Sequence, residues 1–203
     1  MKTLLWIAAA IMAIFLIVDG VAVEIGWMKY VQTLGSVLFL AVFAFDKWIW
    51  RWKLLKGWFV KRPHIWGTWR VTIRSSYKKP GTDDVLPIIE GYMVVWQVYS
   101  RIRMKLFTKE SASESLVAER IEKEDDSYEL AVLYWNVPRL SVRDRSSIHL
   151  GGMILTVEEE PDSRMHGSYW TDRDTSGEIE MVDRRVSSFN SFEAAAKAFR
   201  VHG

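Results

Sequence analysis

The stretch GSYWTDRDTSGEI, residues 167–179, gathers several groups able to do chemistry. Asp172, Arg173 and Asp174 stand in a polar loop between two runs of alternating apolar and polar residues, the pattern of a β-hairpin. Arg173 offers a planar fork for phosphate or carboxylate oxygens, and Thr171 and Thr175 place hydroxyls at the turn. Tyr169 and Trp170 point to opposite faces of one strand and offer flat rings for stacking. Two readings stand side by side: a site in which Arg173 meets an anion, or a wet hairpin in which it pairs with Asp172 or Asp174.

Gln97 and His149 fall inside otherwise apolar runs, where a buried polar group needs a partner, either a ligand or the protein's own backbone. Thr108 and the serines Ser111, Ser113 and Ser115 could bind phosphate or solvate a strand entrance. Catalysis has no comparable support. There is no H-E-x-x-H, P-loop or G-x-S-x-G, and His64, His149, His166 and His202 lack metal-ligand spacing. Asp125 and Asp126 belong to a turn, and no nucleophile is paired with a base. Without a cysteine there is no disulfide, thiolate metal site or thiol catalysis. The expectation is a binding protein with no enzymatic activity, no metal and no cofactor.

The elements that must position these groups have a period of two. In WRVTIRS, Trp69, Val71 and Ile73 alternate with Arg70, Thr72 and Arg74; in SRIRMKLFTK, Ile102, Met104 and Leu106 alternate with Arg101, Arg103 and Lys105. Similar runs at 91–99, 115–123, 128–136, 148–157, 164–171 and 177–184 bring the total to about eight strands joined by short polar turns. Helical signal is confined to SFEAAAKAF, with Ser191 as cap and Phe192, Ala196 and Phe199 on one face. Eight short antiparallel strands predict a closed up-and-down β-barrel with a short C-terminal helix, because closure leaves no edge strand. Such a barrel is just wide enough to be filled by side chains or to hold one small ligand.

The N-terminal part differs in composition. Residues 1–62 carry eight Lys/Arg against three Asp/Glu, and residues 63–203 carry nineteen against twenty-two. The larger part is therefore mildly acidic, which argues against tracking DNA or RNA by counterion release. Two apolar runs, 4–18 and 30–45, are separated by a loop with Asp19 and Glu24, and predict a two-helix transmembrane hairpin over 1–46. A cleaved signal peptide is the competing reading of Lys2 and the first run. Residues 47–63, with Trp48, Trp50, Trp52 and Trp58 among Lys and Arg, read as an interfacial collar. The basic residues after the second run place the N-terminus and the domain at 64–203 on the cytoplasmic side of the membrane, as a multi-pass protein with two spans. The predicted class is thus a membrane-anchored all-β protein.

Several short motifs occur in a recognisable order. GTW at 67–69 opens the first strand as in lipocalin-like barrels; Gln97 follows in VVWQVYSRIRMKL, then Thr108 and the three serines, Tyr134 and Trp135 before Pro138, HLGG at 149–152, and finally the stretch at 167–179. With the two apolar runs and the collar, this order resembles the Cap15-type effectors of bacterial cyclic-oligonucleotide antiphage signalling (CBASS). The resemblance implies a barrel that binds a cyclic dinucleotide made by a partner nucleotidyltransferase, then forms a homo-oligomer that damages the inner-membrane lipid bilayer and kills the infected cell. It also implies a ligand site drawn from Gln97, Thr108, His149, Tyr169, Thr171, Arg173 and Thr175. The rival is a membrane-tethered, lipocalin-like carrier or sensor of an apolar molecule, with a cavity lined by Met104, Leu106 and Val132.

Overall fold

The structure is a computed structural model that describes residues 27–76, 88–123, 127–158 and 163–200. It divides into two compact units, one ending at Arg62 and including Val98–Ser100, the other made of Pro63–Gln97 and everything from Arg101.

In the first unit, helix α1 (Trp27–Lys47) is followed by two single 3-10 turns, Ile49–Arg51 and Lys53–Leu55. Lys47 and Arg51 serve its C-terminal end, the Arg51 guanidinium donating to the Lys47 carbonyl at 2.8 Å. Phe45, Trp50, Val60 and Tyr99 form a small core, with Phe45 and Tyr99 in edge contact at 4.9 Å. The Arg62 guanidinium lies 3.9 Å from the centre of the Tyr99 ring. The proposed collar is therefore not uniform: Trp50 is buried, whereas Trp48, Trp52 and Trp58 are exposed.

The transmembrane expectation is corrected here. Among the described residues no helix is long and apolar enough to cross a membrane. Helix α1 contains the second expected span, but Gln32, Thr33, Gly35 and Ser36 interrupt it, and Asp46 and Lys47 end it. Its unbroken apolar run, residues 37–45, rises only about 14 Å at 1.5 Å per residue, against the ~30 Å of a hydrocarbon core. The first run, 4–18, and Asp19 lie outside the described residues. The two-helix transmembrane hairpin, the membrane-anchored fold class and the two-span inner-membrane localisation are accordingly not upheld.

The second unit is a closed barrel of eight antiparallel strands, each paired with its sequence neighbours and β8 with β1. The strands are β1 (Gly67–Ser75), β2 (Ile89–Gln97), β3 (Ile102–Thr108), β4 (Ser111–Glu122), β5 (Tyr128–Pro138), β6 (His149–Glu158), β7 (Arg164–Thr171) and β8 (Ser176–Arg185). Alternation produces it. Every second residue enters one continuous core that includes Trp69, Val71, Met93, Met104, Leu106, Leu130, Val132, Met153, Leu155, Met165, Ile179 and Met181, while the intervening residues face outward. Met104, Leu106 and Val132 are thus packed core residues rather than the lining that the apolar-carrier reading assigned to them.

Helix α2 (Phe192–Arg200) flanks the outer wall. Ser191 caps it as expected, its hydroxyl accepting from the Ala194 amide at 3.1 Å. Phe192 and Phe199 pack on Tyr92 of β2 at ring separations of 5.3 and 5.1 Å.

One end of the barrel, where β1 begins and β2 and β8 finish, is shut by polar groups bonded to backbone. Trp69 is fully buried, and its indole Nε1 donates to the Ile65 carbonyl at 3.0 Å. The Arg184 guanidinium stands 5.5 Å over that ring and donates to the His64 carbonyl. Gly67 has φ +134° and lies so close to Arg185 that a Cβ would be 2.3 Å from its carbonyl oxygen, so only glycine serves there.

Candidate functional site

The opposite end of the barrel, where the β3–β4, β5–β6 and β7–β8 connections lie, holds the polar side chains. Strand alternation decides which of them face inward. On β5 the inward series is Leu130, Val132, Tyr134 and Asn136, so it turns from apolar to polar as it nears this mouth. Cross-strand pairing extends the change sideways. Ser113, Asn136 and His149 form one row across β4, β5 and β6, and Tyr134, Gly151 and Thr171 form the adjacent row across β5, β6 and β7.

Asn136 and Ser113 are both 6% exposed, and the Ser113 hydroxyl donates to Asn136 Oδ1 at 2.8 Å. Among the described residues neither the Nδ2 amide of Asn136 nor the Tyr134 hydroxyl has a hydrogen-bond partner. The Tyr134 ring lies against the backbone of β6, since a Cβ on Gly151 would be 2.3 Å from its Cζ and Oη. Burial, then the nearby Tyr169 and Asp172, push the Tyr134 phenol up to about 12. Burial also raises Tyr169, against an opposing hydrogen bond with Ser75. Both phenols are therefore neutral hydroxyls at physiological pH.

The β7–β8 turn supplies the cation. Thr171 and Thr175 face each other across it, hydroxyl to hydroxyl at 2.6 Å, and the Arg173 amide donates to Thr171 Oγ1 at 3.2 Å. Asp172 is held by β6, its Oδ2 accepting from the Leu150 amide at 3.1 Å. Asp174 takes a left-handed conformation, φ 55°. Arg173 pairs with neither acid. Its Nη1 donates to Ser146 Oγ at 3.0 Å and weakly to the Ser147 carbonyl at 3.5 Å, and lies 3.4 Å from His149 Nδ1. His149 Nδ1 is also 2.9 Å from the Ser147 carbonyl. The half-buried guanidinium is thus oriented by the Ser146 hydroxyl and the Ser147 carbonyl and keeps its charge for something else.

The seven residues expected in the site divide accordingly. His149, Tyr169, Thr171, Arg173 and Thr175 come together at the mouth. Thr108 is at the same end, but its hydroxyl closes the β3–β4 turn, accepting from the Ser111 amide at 3.0 Å. Gln97 is at the shut end: its Oε1 accepts from the Ile65 amide and its Nε2 donates to the Pro63 carbonyl, each at 2.8 Å. Its amide therefore pins the chain entering β1 and is not brought together with the rest. Asn136 and Ser146 are additions, and Ser113 and Tyr134 gain defined places. The signal for the three strand residues was parity, each falling at an inward position near a strand end; Ser146 sits in a connection, where no period exists to find it.

No curated protein matches the chain. A family model described as "Cap15, cyclic dinucleotide receptor domain" matches residues 60–183, more than half of the chain and nearly all of the barrel. The expected resemblance to the Cap15-type effectors of CBASS is thereby upheld: the match, covering almost the whole closed barrel, places this chain in the Cap15 cyclic dinucleotide receptor domain family.

Proposed function

We propose that the barrel mouth binds a cyclic dinucleotide, without catalytic turnover, and that the ligand switches the chain into its effector state in antiphage defence. The observation that carries this reading is Arg173, half-buried, held by Ser146 and Ser147 and paired with no acid among the described residues. A cyclic dinucleotide brings two phosphodiester charges and two bases. A guanidinium free of acids suits the first, and the rings of Tyr134 and Tyr169 suit the second. The family's description as a cyclic dinucleotide receptor supports the same ligand class. The ligand would come from a nucleotidyltransferase.

The response we propose is self-association of ligand-bound chains, followed by membrane damage and death of the infected cell. Exposed Trp48, Trp52 and Trp58 among basic residues support contact with a bilayer surface. Calorimetric titration of the whole chain with a panel of cyclic dinucleotides tests the binding step, with light scattering to follow association. One or more should bind, and Arg173→Ala should weaken binding about tenfold or more. An unaltered affinity in that variant would remove the mouth from the mechanism.

A further inference from the structure

On the reading that the mouth binds a cyclic dinucleotide, the glycine pair of HLGG gains a purpose that its hydrogen-bonding neighbours do not explain. Gly151 and Gly152 stand inside β6, where glycine weakens a strand and marks a close approach by another group. Backbone conformation does not call for them, since among the described residues only Gly57 and Gly67 are glycines with positive φ. The neighbours of an added side chain do. At Gly67, Gly91, Gly167 and Gly177 the atom nearest to a Cβ would be a backbone carbonyl oxygen, whereas at Gly151 and Gly152 the nearest atoms all belong to one aromatic ring.

Alternation turns the two glycines in opposite directions. Gly151 belongs to the inward series of β6, with Met153, Leu155 and Val157, and lies directly opposite Tyr134. A Cβ there would be 2.3 Å from Cζ and Oη of Tyr134 and 2.7 Å from Cε2. Gly152 faces outward opposite Trp170, and its Cβ would be 2.5 Å from Cζ2 of an indole that is 49% exposed and can swing into solvent. Tyr134 has no such freedom. Its phenol end fills the space that a side chain at 151 would take, immediately inside the wall, so that side chain would push the ring towards the barrel axis. An eight-stranded interior has width for packed side chains or for one small ligand. We propose that Gly151 is a positioning residue for ligand binding: it seats the Tyr134 ring on β6 and so keeps the phenol clear of the mouth.

The test titrates the whole chain with cyclic di-AMP, cyclic di-GMP and cyclic di-UMP, comparing the native protein with Gly151→Ala, Gly152→Ala, Tyr134→Leu and the Gly151→Ala/Tyr134→Leu double variant. Gly151→Ala meets only the end of a side chain, so the fold should persist, as thermal melting will verify. It should weaken the tightest of the three ligands about tenfold or more, and Gly152→Ala by less than about twofold. With leucine at 134 there is no ring to displace, so adding Gly151→Ala should cost less than about twofold further. A second readout needs no ligand. Burial, then Tyr169 and Asp172, hold the Tyr134 phenol at about 12, and a ring pushed into the mouth meets water. Its ionisation in Gly151→Ala, followed by NMR of labelled tyrosine, should therefore move down towards the ordinary 10. Where Tyr134→Leu binds too weakly to measure, that ionisation decides. Native affinity in Gly151→Ala, equal losses in the two alanine variants, the same loss with and without the ring, an unmoved ionisation, or a fold lost in Gly151→Ala and not restored in the double variant overturns the inference alone. Failure of every cyclic dinucleotide to bind the native protein overturns the function beneath it as well.

Discussion

The two ends of the barrel use similar residue types to opposite purposes. At the shut end Trp69, Gln97 and Arg184 are bonded to backbone carbonyls or amides, and the amide of Gln97 has both its oxygen and its nitrogen satisfied. At the mouth Tyr134 and Asn136 are also buried, though less deeply, yet each retains a donor unmatched among the described residues, and Arg173 leans on Ser146 and Ser147. At the shut end these side chains are tied to backbone, whereas at the mouth donors are left open. The shut end is built for stability, and the mouth is built for something that arrives later.

Substitutions at the two ends should therefore behave differently. Trp69→Ala removes the largest fully buried side chain of the shut end and should destabilise the barrel by about 3–5 kcal/mol, measured by denaturant unfolding. Gln97→Ala strands the Ile65 amide and the Pro63 carbonyl, and should cost about 2–3 kcal/mol in the same assay while leaving the ligand affinity of the folded protein intact. Alkaline pH sharpens the contrast. Because the folded Tyr134 phenol is raised to about 12 from an ordinary value of 10, its contribution is intact below pH 10 and is lost as pH climbs from 10 towards 12, where the unfolded chain ionises first. Solvent at the mouth limits the loss to about 1–2 kcal/mol, and Tyr134→Phe should flatten that part of the stability profile. Smallest of all, Arg173→Ala should shift stability by less than about 0.5 kcal/mol, since it makes no ion pair and only weak polar contacts. Its effect should fall on ligand binding instead.

The barrel was legible in the sequence because alternation with a period of two survives in most strands, despite the register shifts in β1 and β4, and residues 164–171 were bounded correctly on that evidence alone. The helix at the end was legible from Ser191 and the spacing of Phe192, Ala196 and Phe199. The mouth was only half legible. Parity puts Tyr169 and Thr171 inside, but whether Arg173 meets Asp172 or Ser146 depends on how β6 and the β5–β6 connection close over the turn, a contact no local pattern encodes. Gln97 shows the converse: a polar residue in an apolar strand looks the same in sequence whether it awaits a ligand or holds the backbone. The second expected span failed because Gln32, Thr33, Gly35 and Ser36 leave an unbroken apolar run only at residues 37–45.

The measurement that tests the central claim most directly is a chemical-shift map of the whole isotope-labelled chain, with and without a cyclic dinucleotide that binds. Shifts should concentrate at Ser113, Tyr134, Asn136, His149, Tyr169, Thr171 and Arg173, with Ile65, Trp69 and Gln97 unmoved. Shifts centred on the shut end, or spread over the outer wall with the mouth silent, would contradict the account.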